Sequence, residues 1–281
     1  TSVKSEKGTL FIKGSGSDLK TIESSGFIEL SLKNITKLQA HDDLSDELMI
    51  KKLKLAKIDP DVSNPSVETL LHAFLPHRFV VHTHSNAVLA LTNQADGIKR
   101  CKKVFGSKAA IVPYAMSGFK LAKKASTIYK RKPSISGLII MKHGIFTFGE
   151  TAKEAYDRMI MLVSMAESTL KNNRRNILNI EKITGKLLSI SEVFPIIRGA
   201  LGSGWLLDFR TNKLIKNFII GKELSRYGAA GPVTPDHVVW TKIKPLILPI
   251  PIAGHKFSEK VYHAVEKFEN QYLSYYHKNN K

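Results

Sequence analysis

Between Thr9 and Leu170 the sequence alternates short β-type apolar runs with helix-type segments, and this alternation restricts the chain to a layered α/β or α+β domain. The first β run is Thr9-Leu10-Phe11-Ile12, closed by the turn Gly14-Ser15-Gly16-Ser17-Asp18, and a second is expected near Phe27 to Leu32. Ser45 caps a helical segment whose apolar contacts are Leu48, Ile50, Leu53 and Leu55. Asn64-Pro65-Ser66 starts another helix, running through Thr69, Leu70, Leu71, Ala73 and Phe74 until Pro76 stops it. Phe79-Val80-Val81-His82-Thr83-His84 returns to the β pattern, and Ser85 caps a helix through Val88, Leu89 and Leu91. Ala109 to Tyr114 predicts a strand and Phe119 to Lys130 a helix that ends before Pro133. Leu138-Ile139-Ile140-Met141 is continuously apolar and predicts a buried strand. Gly144 then turns the chain into Ile145-Phe146-Thr147-Phe148, and Thr151 caps a long helix reaching about Leu170.

The polar stretch Lys171-Asn172-Asn173-Arg174-Arg175-Asn176 is the best boundary, dividing the chain into residues 1–171 and a C-terminal extension, 172–281. Signals are weaker beyond it. Leu206-Leu207-Asp208-Phe209 suggests a strand, Thr211 to Ile220 a helix, and Gly231-Pro232-Val233-Thr234-Pro235 a rigid turn. A last helix begins at about Ser258, with Val261, Val265, Phe268, Tyr272 and Tyr276 at near-helical spacing.

Lys and Arg total 43 against 24 acids, a formal charge of +19. Such a balance suits nucleic acid, an anionic membrane surface or phosphorylated substrates. Here the basic residues are scattered in pairs (Lys51-Lys52, Lys102-Lys103, Lys123-Lys124, Arg174-Arg175) without interleaved aromatics, so no nucleic-acid partner is expected. No run approaches the roughly 20 apolar residues of a membrane helix. The single cysteine, Cys101, excludes an intrachain disulfide and a cysteine-based zinc site. With no apolar signal core in Thr1-Ser2-Val3-Lys4, a cytoplasmic location is expected, and, with no initiator Met, so is a chain that begins inside a longer gene product.

His82-Thr83-His84 is the strongest chemical signal. Side chains at i and i+2 of a strand share a face, so both imidazoles converge and form half of a zinc site. Taken alone, the pair also fits two partly exposed strand histidines. His143 adds a third imidazole where the apolar strand ends and Gly144 turns the chain; alone it reads equally as a turn histidine. Three histidines with one open position form the pattern of a catalytic zinc site. Glu68 is the acidic candidate, in the first turn of its helix, where it would otherwise complement the helix dipole.

Three ordered motifs, Pro65-Ser66-Val67-Glu68-Thr69, Val81-His82-Thr83-His84 and Lys142-His143-Gly144-Ile145-Phe146-Thr147-Phe148-Gly149, resemble the class II aldolase/adducin family, as does the helix carrying Glu154, Ala155 and Arg158. The resemblance spans roughly Thr9 to Leu170. It implies an α/β/α sandwich around a central, largely antiparallel sheet. It also implies a zinc ion, or another divalent metal, on His82, His84 and His143 that stabilises the enediolate left by carbon–carbon cleavage. Glu68 would be the catalytic proton-transfer residue, and Gly14, Ser15, Gly16 and Ser66 would cradle a substrate phosphate. A phosphorylated sugar substrate and a homo-oligomer, usually a tetramer, follow from the same resemblance.

Finer similarity points to bifunctional proteins that join a rhamnulose-phosphate aldolase-like half to a short-chain dehydrogenase half. It rests on Lys13-Gly14-Ser15-Gly16-Ser17-Asp18-Leu19, Glu68-Thr69-Leu70-Leu71-His72 and Gly231-Pro232-Val233-Thr234-Pro235-Asp236-His237. Two departures stand out: the chain starts at Thr1-Ser2 without the family's preceding Gly-Asn, and Val67 replaces the usual second Ser of its motif. Within these 281 residues no dehydrogenase half is expected. Gly199-Ala200-Leu201-Gly202-Ser203-Gly204 has the wrong spacing for its nucleotide turn and reads as a flexible turn, and no Tyr is followed four residues later by Lys. His237 reads as a further site residue or as a buried, hydrogen-bonded histidine. The expected reaction is cleavage of a ketose 1-phosphate, rhamnulose 1-phosphate-like, to dihydroxyacetone phosphate and an aldehyde. The alternatives are another reaction at the same metal (epimerisation or decarboxylation), an inactive piece of a bifunctional enzyme, and an adducin-like assembly module.

Overall fold

A computed structural model describes residues 1–172, 178–254 and 256–280. The chain divides into two compact units, Thr1–Arg174 with Val233–Asp236, and Arg175–Pro232 with His237–Lys281.

The first unit is built on a seven-stranded sheet. Its strands are β1 (Ser2–Lys4), β2 (Thr9–Lys13), β3 (Phe27–Ser31), β4 (Phe79–Thr83), β5 (Ala109–Val112), β6 (Gly137–Ile140) and β7 (Gly144–Gly149), in the order β3-β2-β1-β4-β7-β6-β5. Every neighbouring pair is antiparallel except β5 and β6. A parallel pair needs a long crossover, and the helix Phe119–Arg131 supplies it.

Among the described residues, seven α-helices cover this sheet: α1 (Leu32–Thr36), α2 (Asp46–Leu55), α3 (Thr69–Phe74), α4 (Asn86–Thr92), α5 (Gly97–Phe105), α6 (Phe119–Arg131) and α7 (Ala152–Asn172). Side-chain alternation sorts them into two layers. Leu138, Ile140, Phe146 and Phe148 point into a cluster with residues of α1, α2, α3 and α6. Ile139 and Ile145, from the same strands, point into a second cluster with Val88, Leu91, Cys101, Phe105, Met159, Leu162 and Ala166 from α4, α5 and α7. Strand β6 is buried at every position because both of its faces are covered, which explains its unbroken apolar run. The expected α/β/α sandwich with a largely antiparallel sheet is therefore the observed fold.

Strand β1 was not anticipated. Its three residues are too few and too polar to show a period, yet they pair with both β2 and β4 and close the sheet. Helix α5 also lacked a signal, since only Gly97, Cys101 and Phe105 face inward between lysines.

The second unit is helical and irregular. It contains α8 (Ile190–Leu201), α9 (Lys213–Ile219), α10 (Leu224–Gly228) and α12 (Phe257–Asn279); α11 (Pro235–Trp240) begins in the segment assigned to the first unit. Leu206–Phe209, expected as a strand, forms none. Half of the supposed flexible Gly199–Gly204 turn is the last turn of α8, ended by left-handed Gly202. The stripe on α12 buries Val261 and Val265 but fades outward, leaving Tyr276 47% exposed. Of the expected boundary stretch, residues 173–176 lie outside the described residues. Among the described residues no helix is long and apolar enough to cross a membrane.

Candidate metal centre

Strand β4 supplies the first imidazole. His82 lies opposite Phe146 in the β4–β7 register and stacks on its ring at a centroid distance of 3.9 Å. Buried His72 meets the same phenyl ring edge-on at 5.3 Å. His82 Nδ1 donates to the Ile145 carbonyl at 2.9 Å. A carbonyl only accepts, so the proton is on Nδ1 and the Nε2 lone pair is free. Burial lowers the His82 pKa, and the adjacent Glu68 carboxylate opposes that shift without cancelling it. The ring is therefore neutral near pH 7, the form that ligates metal.

His84 sits one residue past the end of β4. Its Nδ1 donates to Asp236 Oδ2 at 2.8 Å, which leaves Nε2 inward in the same way. The third ring, His143, lies in the connection between β6 and β7. Here the structure corrects the expected backbone logic. The left-handed residue is Lys142, at φ 58°, not Gly144. Gly144 is needed for close approach, because a Cβ there would meet the Thr83 carbonyl oxygen at 2.5 Å and the His82 ring at 3.0 Å. A non-Gly residue held left-handed beside a site stores strain.

Glu68 caps the start of α3 by position, without a capping hydrogen bond from its side chain. Its carboxylate instead reaches His143 Nε2 at 2.5 Å and comes within 3.2 Å of His82 Nε2. Burial alone would push this carboxyl up, but His82 and His143 beside it hold it well below the usual carboxylate range. Glu68, His82, His84 and His143 each offer a ligand atom, and these atoms lie within 4.8 Å of one another. The ring centroids are 4.7, 5.2 and 5.0 Å apart.

The donor set fits a divalent cation. His82 Nε2 and His84 Nε2 are buried without a hydrogen-bond partner. Such orphaned acceptors are costly. Two lone pairs facing a carboxylate are mutually repulsive unless positive charge lies between them. Three imidazoles with a fourth position left open are a set that zinc accepts.

The other expected residues gather in a neighbouring pair of loops. Gly14 bridges to Pro65, and Ser15 N donates to the Asn64 carbonyl at 2.9 Å. Ser66 Oγ accepts from the Glu68 amide at 3.3 Å. The Gly14-Ser15-Gly16 loop thus lies against the Ser66 loop. His237 belongs to the second unit. Within that motif, Asp236 is the residue that reaches a ligand histidine. No role was expected for it, nor for Ser117, whose hydroxyl lies 3.4 Å from His143 Nδ1.

Residues 1–170 match the family described as class II aldolase and adducin N-terminal domain, and residues 189–281 match aldolase class II, second domain. A Bacillus subtilis (strain 168) protein named as an uncharacterized oxidoreductase, YuxG, is 31% identical over 285 residues. That match covers 96% of this chain and 41% of YuxG, so the chain spans about two-fifths of that relative. Among solved structures, the N-terminal class II aldolase domain of a conserved Thermoplasma acidophilum protein is 40% identical with a TM-score of 0.55, covering 60% of this chain and 80% of that one.

Proposed function

The chain belongs to the class II aldolase and adducin family, and from that premise we propose that its first unit is a metal-dependent lyase acting on a ketose 1-phosphate. His82, His84 and His143 hold the divalent ion, with zinc the best fit to the donor set. When bound, that ion supplies Lewis acidity toward a hydroxyketone. Glu68 moves the proton. Its carboxylate lies among the ligand rings and is held ionised by them, so it would be the group to take a proton from a hydroxyketone held at the ion. Phe146 and the inward-packed rings exclude water from the buried side.

The Gly14–Gly16 and Ser66 loops supply the anion end of the site. Lys13 lies next to them, with Nζ on the Gly14 and Ser17 carbonyls at 3.0 and 2.7 Å. This supports a phosphorylated substrate. The motif similarity favours a rhamnulose 1-phosphate-like sugar cleaved to dihydroxyacetone phosphate and an aldehyde, with this chain corresponding to the aldolase-like portion of longer bifunctional proteins. The partial coverage of YuxG is consistent with that placement.

The observation that carries the reading is the pair of buried, partnerless Nε2 atoms converging beside Glu68. The test is release of dihydroxyacetone phosphate from rhamnulose 1-phosphate by the purified chain, before and after chelation and after zinc is restored. Cleavage that follows the metal supports the proposal. Zinc-loaded protein that cleaves neither this nor related ketose 1-phosphates would overturn it.

A further inference from the structure

The three ligand rings are not held alike. His82 is fixed twice, by stacking on Phe146 and by donating to a strand carbonyl. His143 has the close Glu68 contact and a weaker approach to Ser117. His84 lies beyond the last residue of β4, outside the ladder that orients its neighbour. What fixes its Nδ1 is the Asp236 carboxylate at 2.8 Å, from a residue 152 positions away in sequence.

We propose that Asp236 is a positioning residue for the metal centre, holding His84 in the Nδ1–H tautomer with Nε2 turned toward the ion. The proposal rests on the reading that the histidine cluster binds a divalent cation. A carboxylate is a stronger acceptor than the carbonyl or hydroxyl used by the other two rings, so it holds the ring orientation the more firmly. It also brings a second negative charge to the site besides Glu68, which favours a dication over a monovalent ion.

The segment that delivers Asp236 is anchored independently. Asn93 Nδ2, just after α4, donates to the Val233 carbonyl at 2.8 Å, and Thr234 is buried. Val233–Asp236 groups with the unit that carries the histidines, although the chain on both sides of it belongs to the other unit. An incidental surface ion pair would need no such anchor. The side chain of Asp236 is largely exposed while that of His84 is mostly covered, so the carboxylate closes the outer edge of the ligand.

The test compares Asp236→Ala and Asp236→Asn with wild type as purified full chains. In metal-free protein labelled with 15N-histidine, the wild-type His84 ring should show a proton fixed on Nδ1. Asp236→Ala should lose that fixed tautomer, and Asp236→Asn should keep it, because an amide oxygen accepts the same proton. Zinc affinity, measured by chelator competition, should fall about 10–100-fold in Asp236→Ala and less in Asp236→Asn. The Asn variant, nearly identical in shape, controls for loss of folding. Unchanged zinc affinity in Asp236→Ala, with wild type binding normally, overturns this proposal and leaves the lyase reading standing. A wild type that binds no zinc overturns both.

Discussion

The first unit hangs two apolar layers on one sheet, whereas the second gathers Phe257, Val261 and Val265 under partly covered side chains of α8 and the 246–248 segment. In the second unit, α8 and α9 contain no fully buried residue, and Leu206 and Trp240 stand 92% and 82% exposed. The contrast shows where precision is needed. Ligand atoms that must converge within a few ångström are carried by strands packed on both faces, where rotamers are locked. A unit with one small cluster opens more readily and tolerates surface change.

The sharpest way to break this contrast is to change one carboxylate in each unit. Glu68→Gln keeps shape but removes the base, and cleavage should fall by roughly 10²–10⁴-fold, with zinc content and folding retained. Glu223→Gln, in an exposed ion pair with Arg226, should leave cleavage unchanged. If Glu68 served only the start of α3, its substitution would cost a few tenths to about 1 kcal/mol of stability and leave turnover intact. Rate, zinc content and melting temperature measured together separate these outcomes.

Stability should follow the same division. Phe105→Ala empties a fully buried site between α5 and the sheet and should cost about 3–5 kcal/mol. Trp240→Ala removes a larger side chain from the exposed surface and should stay within about 0.5 kcal/mol. Denaturant unfolding compares them; equal losses would mean that Trp240 is covered in solution.

Smaller effects refine the picture. At the start of α8 the Glu192 carboxylate accepts from both the backbone N–H and the hydroxyl of Ser189, at 2.8 and 2.7 Å, so Ser189→Ala should cost about 1 kcal/mol, read from the second unit's transition. An unchanged transition would show that α8 does not depend on its cap. Burial pushes the Cys101 thiol up to about 11. A thiol reagent at pH 8 should therefore leave native protein unmodified and label it only on unfolding. Rapid native labelling would show that the α5 layer opens locally.

Much of this architecture was legible because its elements carry strong periods. The run Leu138–Met141 and the alternation in Phe79–His84 each predict a strand, and β6 and β4 are observed there. His82, His84 and His143 were legible as one candidate group from their positions along and at the end of β-type runs, although His84 falls one residue past β4, whereas Glu68 joined them only through the family resemblance; the four ligand atoms do converge. What escaped notice lacked a local signal. Asp236 meets His84 only through tertiary folding, and β1 is stabilised by neighbours on both sides, not by its own pattern. Helix α8 did carry a Ser-x-x-Glu start, but Pro195 and Gly199 within it argue against a helix. The β6–β7 connection was located correctly and explained wrongly. Close packing of Gly144 against Thr83 and His82, with Lys142 taking the left-handed conformation, is invisible in one strand's sequence.

Everything proposed for the first unit depends on His82, His84 and His143 forming a metal centre. Metal analysis of the purified full chain, repeated after chelation and reconstitution, tests it most directly. About one divalent ion per chain is expected, zinc before others, and its loss in a folded His84→Ala variant. A wild-type chain that stays folded without metal and refuses reconstitution would contradict it.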